Sequence, residues 1–197
     1  PINIDAFIYT GTGAGGFGQS NTCFMWDFYT TVSGLSSSLV WDKHDLSSFS
    51  VTKLTFDRAY AQYFTSNDRL RVKVSADCGN TWTTVFDKQG TQLATAPVEN
   101  AVRFFPTANE WVRDTVDISA FTGMDEVLIA FEGISNYGND LFIDNVNLLN
   151  TLANPSVANT VSSTLQSSYC DDSVMINLNF TNNGNVPLNA GVIASTL

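Results

Sequence analysis

The residues able to do chemistry in this chain are mostly oxygen donors set in turn-rich segments. Asp27 lies in "MWDFY", Asp57 and Asp68 bracket "FDRAYAQYFTSND", and Asn139, Asp140 and Asp144 fall within "GNDLFIDNV". Hard divalent cations take several carboxylate and amide oxygens held by loops, so these six are the candidate ligands for a structural calcium ion. Asp144 stands out because it sits between Ile143 and Val146 in an apolar run, where an unpaired carboxylate is costly to bury. The same side chains read equally well as turn caps and sheet-edge carboxylates. Catalytic machinery, by contrast, lacks its parts. His44 in "VWDKHDLSS" is the single histidine, so neither an HExxH zinc site nor a three-histidine cluster exists within the sequence. No G-x-S-x-G elbow accompanies it, and His44 reads as a surface or loop residue. The sequence is therefore read as non-catalytic.

Aromatic rings offer a second kind of chemistry, since flat faces stack on sugars and anchor protein partners. Tyr29, Trp41, Tyr60, Tyr63, Phe64, Trp111 and Tyr137 are candidates, although packing in a core is the commoner use of any one ring. Tyr137, in the polar loop "SNYGN", is the ring most expected at the surface; with Trp41 and Tyr63 it forms the candidate ligand-binding set.

Positioning such groups requires a scaffold, and the sequence describes one made of strands. Short β-branched and aromatic runs alternate with polar residues in "KLTFDRAYAQYF", "DRLRVKVSA", "TWTTVFDK", "EWVRDTVDIS" and "DEVLIAFEGI". Turn clusters such as "TGTGAGGFG", "TSND" and "SNYGND" separate them, and no long helical stripe intervenes. This pattern predicts an all-β fold, an antiparallel jelly-roll β-sandwich, over residues 1–150. Arg69, Arg71 and Lys73 share one face of their run, which suits a solvated or edge-exposed surface. After Leu149 the composition shifts to Ser, Thr, Asn and Ala, and "VMINLNFTNNGNVPL" then alternates again. Residues 151–197 are read as a linker and an incomplete second β domain, too short to close a sandwich alone.

A 197-residue chain that is 44% hydrophobic and 12% aromatic can bury one core and an appendage. With 9 basic against 19 acidic residues and a net charge of -10, it is ill suited to grip nucleic acid, and no run approaches the length of a membrane span. Its three cysteines, Cys23, Cys78 and Cys170, are too scattered for a zinc ribbon. Cys23 and Cys78 are the candidate disulfide because both fall in the first domain, with Cys170 left to pair elsewhere; free buried thiols are the alternative.

Ser75, Asp77, Gly79, Thr81 and Trp82 in "VSADCGNTWTTV" resemble the Asp-box, a hairpin motif of sialidase propellers. One copy and no repeat at blade spacing leave a local hairpin rather than a propeller. The runs "DRLRVKVSADCGNTWTTVFDK" and "GNDLFIDNV" are similar to the jelly-roll modules of large secreted Bacteroidota proteins, namely the cleaved-adhesin domains of gingipains and, more distantly, MAM domains. The resemblance spans about residues 15–149. It implies a non-catalytic adhesion or ligand-binding module, secreted or at the cell surface, exported by the type IX route. Its partners would be a glycan or protein ligand and neighbouring domains of the same long chain. It also implies a structural cation where an early loop meets the closing strand, and a tail that opens an Ig-like domain. The alternative is an accessory C-terminal domain of a secreted zinc metalloprotease that positions substrate. Asp114-Thr115-Val116 and Asp172-Ser173-Val174 fit the short pattern used for O-glycosylation in that phylum, making Thr115 and Ser173 the candidate acceptors.

Overall fold

The computed structural model describes residues 6–150 and two further strands, 157–164 and 175–182. The backbone divides into two units, Pro1–Thr151 and Leu152–Leu197. In the first, the described strands are β1 (Ala6–Thr10), β2 (Thr22–Trp26), β3 (Ser36–His44), β4 (Thr52–Tyr63), β5 (Arg69–Ser75), β6 (Thr83–Gln89), β7 (Ala96–Glu99), β8 (Val112–Asp117), β9 (Val127–Ile134) and β10 (Leu141–Asn150). In the second, β11 (Val157–Thr164) pairs antiparallel with β12 (Met175–Asn182). The described helices are short 3-10 turns, and none is long and apolar enough to cross a membrane.

Two sheets face each other, as the alternating pattern requires. One runs β1-β2-β10-β4, with the far edge of β4 shared by β8 along Lys53–Arg58 and by β7, parallel, near Ala61–Tyr63. The other runs β3-β9-β5-β6. The first unit is thus an all-β sandwich, and its pairing is antiparallel except at β7.

β4 organises the core because it is covered on both faces. Leu54, Phe56 and Tyr60 point between the sheets, where Phe56 meets Phe86 and Phe131 edge-to-face at 5.3 and 5.2 Å. Ala59 and Ala61 pack in a second cluster with Cys23, Met25, Phe104, Trp111 and Phe142. A strand buried on both sides loses the clean alternation of a half-exposed one. β5 keeps it: Leu70, Val72 and Val74 are buried, and Arg69, Arg71 and Lys73 form a ladder of ion pairs with Asp87 and Glu132. Its basic face is solvated, but β5 lies inside its sheet, between β9 and β6.

The hairpin joining β5 to β6 shows what the Asp-box spacing does. Asp77 Oδ1 accepts from Thr81 N at 2.8 Å and from Ser75 Oγ at 2.7 Å, and its Oδ2 accepts from Thr81 Oγ1 at 2.6 Å. Trp82 Nε1 donates to Gly79 O at 3.0 Å, closing the turn over a left-handed Gly79 at φ 87°. Those donors hold the Asp77 carboxyl down at about 2, against an ordinary 3.8. A carboxylate with a depressed folded pKa stabilises above its unfolded value and loses that contribution as pH falls through the folded one. Asp77→Asn is therefore expected to melt below the parent at pH 7. The gap between the two melting curves should close as pH falls from 3.8 toward about 2.

The two cysteines expected to bridge do not. Cys23 is buried on β2 in one sheet and Cys78 is exposed in the hairpin turn of the other, so both are free thiols. Burial, and then the Asp144 charge, pushes the Cys23 thiol up to about 12, which leaves it unreactive. Cys78 donates instead to Glu126 Oε2 at 3.1 Å. Cys170 and Ser173 lie outside the described residues.

Candidate functional site

One end of the sandwich collects aromatic rings from four separate connections. Tyr29 follows β2, Tyr63 and Phe64 end β4, Phe105 follows β7, and Tyr137 sits in the loop from β9 to β10. Tyr29 and Tyr63 meet edge-to-face at 5.6 Å, and Tyr63 and Phe64 at 4.7 Å. Tyr29, Tyr63, Tyr137 and Gly138 line a cleft of about 120 Å³. Desolvation raises the Tyr63 phenol above its usual range, and the neighbouring phenols of Tyr29 and Tyr137 add to the shift. Three phenolic groups therefore converge on this opening.

Its rim is held in an unfavourable backbone conformation. Phe64 and Tyr137 have φ of 48° and 58°, the left-handed region that bulky residues avoid at a cost of roughly 1–3 kcal/mol each. Both rings are nevertheless exposed, at 54% and 60%. Phe64 N is secured by Asn100 Oδ1 at 3.2 Å, and Tyr137 N by Ser135 Oγ at 3.0 Å. Gly138 completes the wall because nothing larger fits: a Cβ there would stand 1.8 Å from Asp68 Oδ2.

Beneath the rings lies a polar floor made of expected cation ligands. Arg103 pairs with Asp27 Oδ2 at 2.9 Å through Nη2 and with Asp140 through Nε. Its guanidinium carbon stands 5.8 Å from the Tyr29 ring centre and 5.6 Å from that of Phe105. Asp140 also accepts from Tyr29 N at 3.3 Å, which ties the floor to the rings. Burial outweighs Arg103 and raises the Asp140 carboxyl to about 6. Asp68 accepts from Tyr60 Oη at 2.7 Å and from the backbone N–H groups of Asn136 and Asn139 at 2.6 and 3.1 Å; burial raises its pKa. Asn139 Oδ1 accepts from Phe104 N at 2.8 Å, and its buried Nδ2 is left without a partner.

The six expected cation ligands do not gather into one cage. Asp27, Asp68, Asn139 and Asp140 form the floor just described, whereas Asp57 and Asp144 face each other across β4 and β10. Asp57 binds Arg113 through both oxygens at 2.7 and 2.9 Å and accepts from Asn145 Nδ2 at 2.8 Å. Asp144 accepts from Gly16 N at 2.7 Å and Ser20 Oγ at 3.4 Å, and a bulge in β10 with Asn145 at φ 49° sets its direction. Among the described residues no three Asp, Glu, His or Cys side chains converge as a metal centre would need. The arginines explain the division, because two of the expected carboxylate sites already hold a guanidinium.

Of the ligand-binding set, Tyr63 and Tyr137 meet at the cleft and Trp41 does not. Trp41 lies on β3, half-buried against the core and edge-on to His44 at 4.3 Å, where it lines an apolar hollow with Leu39, Phe131 and Val146. His44 is half-buried at the end of β3 rather than in a surface loop, and burial lowers its pKa. Tyr60 and Trp111 are buried. Thr115 is exposed on β8. Arg103 and Phe105 escaped the sequence reading; their only signal is the cationic-aromatic run "VRFF" inside an otherwise unpatterned connection.

The sequence matches no family model and no curated protein. Solved structures are similar to it to different degrees. The K1 cleaved adhesin domain of Lys-gingipain from Porphyromonas gingivalis is 21% identical, with a TM-score of 0.55 over 75% of this chain and 85% of that one. The K2 cleaved adhesin domain of Lys-gingipain gives 18% identity and a TM-score of 0.44 over 76% and 89%. The family 11 carbohydrate-binding module from Clostridium thermocellum, solved with a β-1,3-1,4-mixed-linked tetrasaccharide, gives 15% and 0.42 over 75% and 85%. At 21% identity the likeness to the K1 domain is one of fold, and with the two facing sheets it makes the first unit a jelly-roll sandwich.

Proposed function

We propose that this chain is a non-catalytic, extracellular binding module whose ligand is a glycan, held at the cleft of Tyr29, Tyr63, Phe64 and Tyr137. The observation that carries the reading is the pair of exposed rings at positions 64 and 137, both in strained left-handed backbone. Folding alone gives no return on that strain, whereas ring faces presented at fixed angles stack on the apolar faces of pyranose rings. The phenol hydroxyls of Tyr29, Tyr63 and Tyr137 and the buried floor beneath supply fixed hydrogen-bonding groups, the usual division of labour in a small-molecule site. Titration of the protein with neutral oligosaccharides by calorimetry tests it. Tyr63→Ala and Tyr137→Ala should each weaken binding about fivefold, since one stacking ring contributes on the order of 1 kcal/mol. Thr115→Ala should change nothing. Equal affinity in all three variants, or no binding to any sugar, would overturn the reading.

Kinship in fold with adhesin domains supports placing the module in a long surface protein exported by the type IX route, with the second unit as an Ig-like neighbour. The same cleft would serve an accessory domain of a secreted protease that holds glycosylated substrate. Calcium is a separate proposal, confined to Asp144, where Ser20 Oγ lies 3.4 Å from the carboxylate and 3.0 Å from Thr22 O. These are the oxygens a hard cation takes. A chelator should lower the melting temperature of the parent and not of Asp144→Asn; a melting temperature indifferent to chelator contradicts it.

A further inference from the structure

The nine basic residues of the chain can be placed one by one, and eight of them are away from the cleft. Lys43 pairs with Glu126, Arg58 and Lys88 with Asp114, Arg69 and Arg71 with Asp87, Lys73 with Glu132, and Arg113 with Asp57, while Lys53 lies near the start of β4. Arg103 alone reaches the rings, and it is already engaged by two carboxylates, Asp27 and Asp140.

The acidic residues are distributed the other way. Asp27 and Asp140 form the floor, and Asp68 lies directly behind Gly138. Glu99 stands opposite Tyr63 in the β4–β7 pairing, and its charge helps raise the Tyr63 phenol. Glu99 is a firm anion: Ala101 N donates to its Oε1 at 2.8 Å, which holds its pKa below the usual carboxylate range. Even with Asp68 left out of the count, this end of the sandwich carries three carboxylates, Asp27 and Asp140 on Arg103 and Glu99 beside Tyr63, against one guanidinium. The ring faces themselves present the negative side of their quadrupoles.

We infer that the cleft selects its glycans by charge, taking sugars that carry a protonated amino group ahead of neutral ones and excluding uronates and sulfated or sialylated chains. This rests on the glycan reading above and narrows it. An ammonium over Tyr63 or Tyr137 is attracted by the rings and by the Asp27–Asp140–Glu99 field at once. A carboxylate entering the same space meets that field with no free cation to receive it.

The experiment compares oligomers of matched length: glucosamine, N-acetylglucosamine and galacturonate, titrated against the protein at low salt. Affinity should fall in that order, by at least about tenfold from first to last, and the spread should shrink in 0.5 M salt as screening sets in. Glu99→Gln should narrow the spread without abolishing binding of the neutral oligomer. Tetramethylammonium and acetate, titrated separately while the Tyr63 and Tyr137 ring resonances are followed, read the charge rule without any sugar. A response to the cation alone is expected. Galacturonate binding as well as glucosamine, or ring shifts produced by acetate, would overturn the inference even if neutral sugars bind. Absence of binding by all three oligomers would sink the glycan reading, while the two small ions still decide the charge rule.

Discussion

Arg103→Met destabilises the protein by about 3 kcal/mol at pH 7, because it leaves Asp140, fully buried, as an unpaired charge. The methionine keeps most of the stem that lies along Tyr29 and Phe105, so the loss reports the charge rather than the packing. The sign with pH follows from Asp140. Its folded pKa, about 6, already lies above the ordinary 3.8, so its contribution favours folding below 3.8 and is lost as pH rises through about 6. Removing Arg103 takes away the pairing that lowers this value and pushes it further up. Urea midpoints of the two proteins should therefore lie far apart at pH 7.5 and draw together toward pH 5. A gap independent of pH would mean that Arg103 acts through packing alone.

Gly133→Val, on β9, costs about 3 kcal/mol through overpacking. A Cβ at this position meets Trp26 Cδ1 at 2.7 Å, Trp26 Nε1 at 2.8 Å and Phe28 Cζ at 2.9 Å. None of these atoms is a free side-chain end. Trp26 and Phe28 are fully buried, and Trp26 Nε1 is anchored on Ser37 Oγ at 3.1 Å. The indole therefore occupies the volume that glycine vacates, joining β2 of one sheet to β9 of the other. Trp26→Leu placed in the Gly133→Val background should recover part of the loss, so the double variant should be more stable than the sum of the single changes predicts. Simple additivity in the urea midpoints would show that the two positions do not compete for space.

The sequence spoke clearly where periodicity governs. "DRLRVKV" alternates because one face of β5 is core and the other is a solvated ladder, and the Asp-box spacing maps bond for bond onto its hairpin. β4 was legible as a strand, but not as the one covered on both faces, because Ala59 and Ala61 face a loop that carries no pattern of its own. The same loop delivers Arg103. Cation ligands were expected at Asp27, Asp57 and Asp140 because carboxylates can be counted in a sequence, whereas the guanidinium that reaches each one arrives from a residue 37 to 76 positions away. Ring clusters suffer likewise. Tyr63 and Tyr137 were singled out one at a time, but their meeting with Tyr29 depends on how three loops end at the same edge of the sandwich. Trp41 looked equally available and was claimed by the core, since its strand turns that face inward.

Mapping a neutral oligosaccharide onto the isotope-labelled protein by chemical-shift perturbation tests most directly whether the ring cleft is the binding site. Saturable shifts should centre on Tyr29, Tyr63, Phe64 and Tyr137 with the Gly138 amide, while Trp41 and the outer face of β5 stay silent. Shifts centred on the β3 hollow around Trp41, or none at millimolar sugar, would contradict that placement.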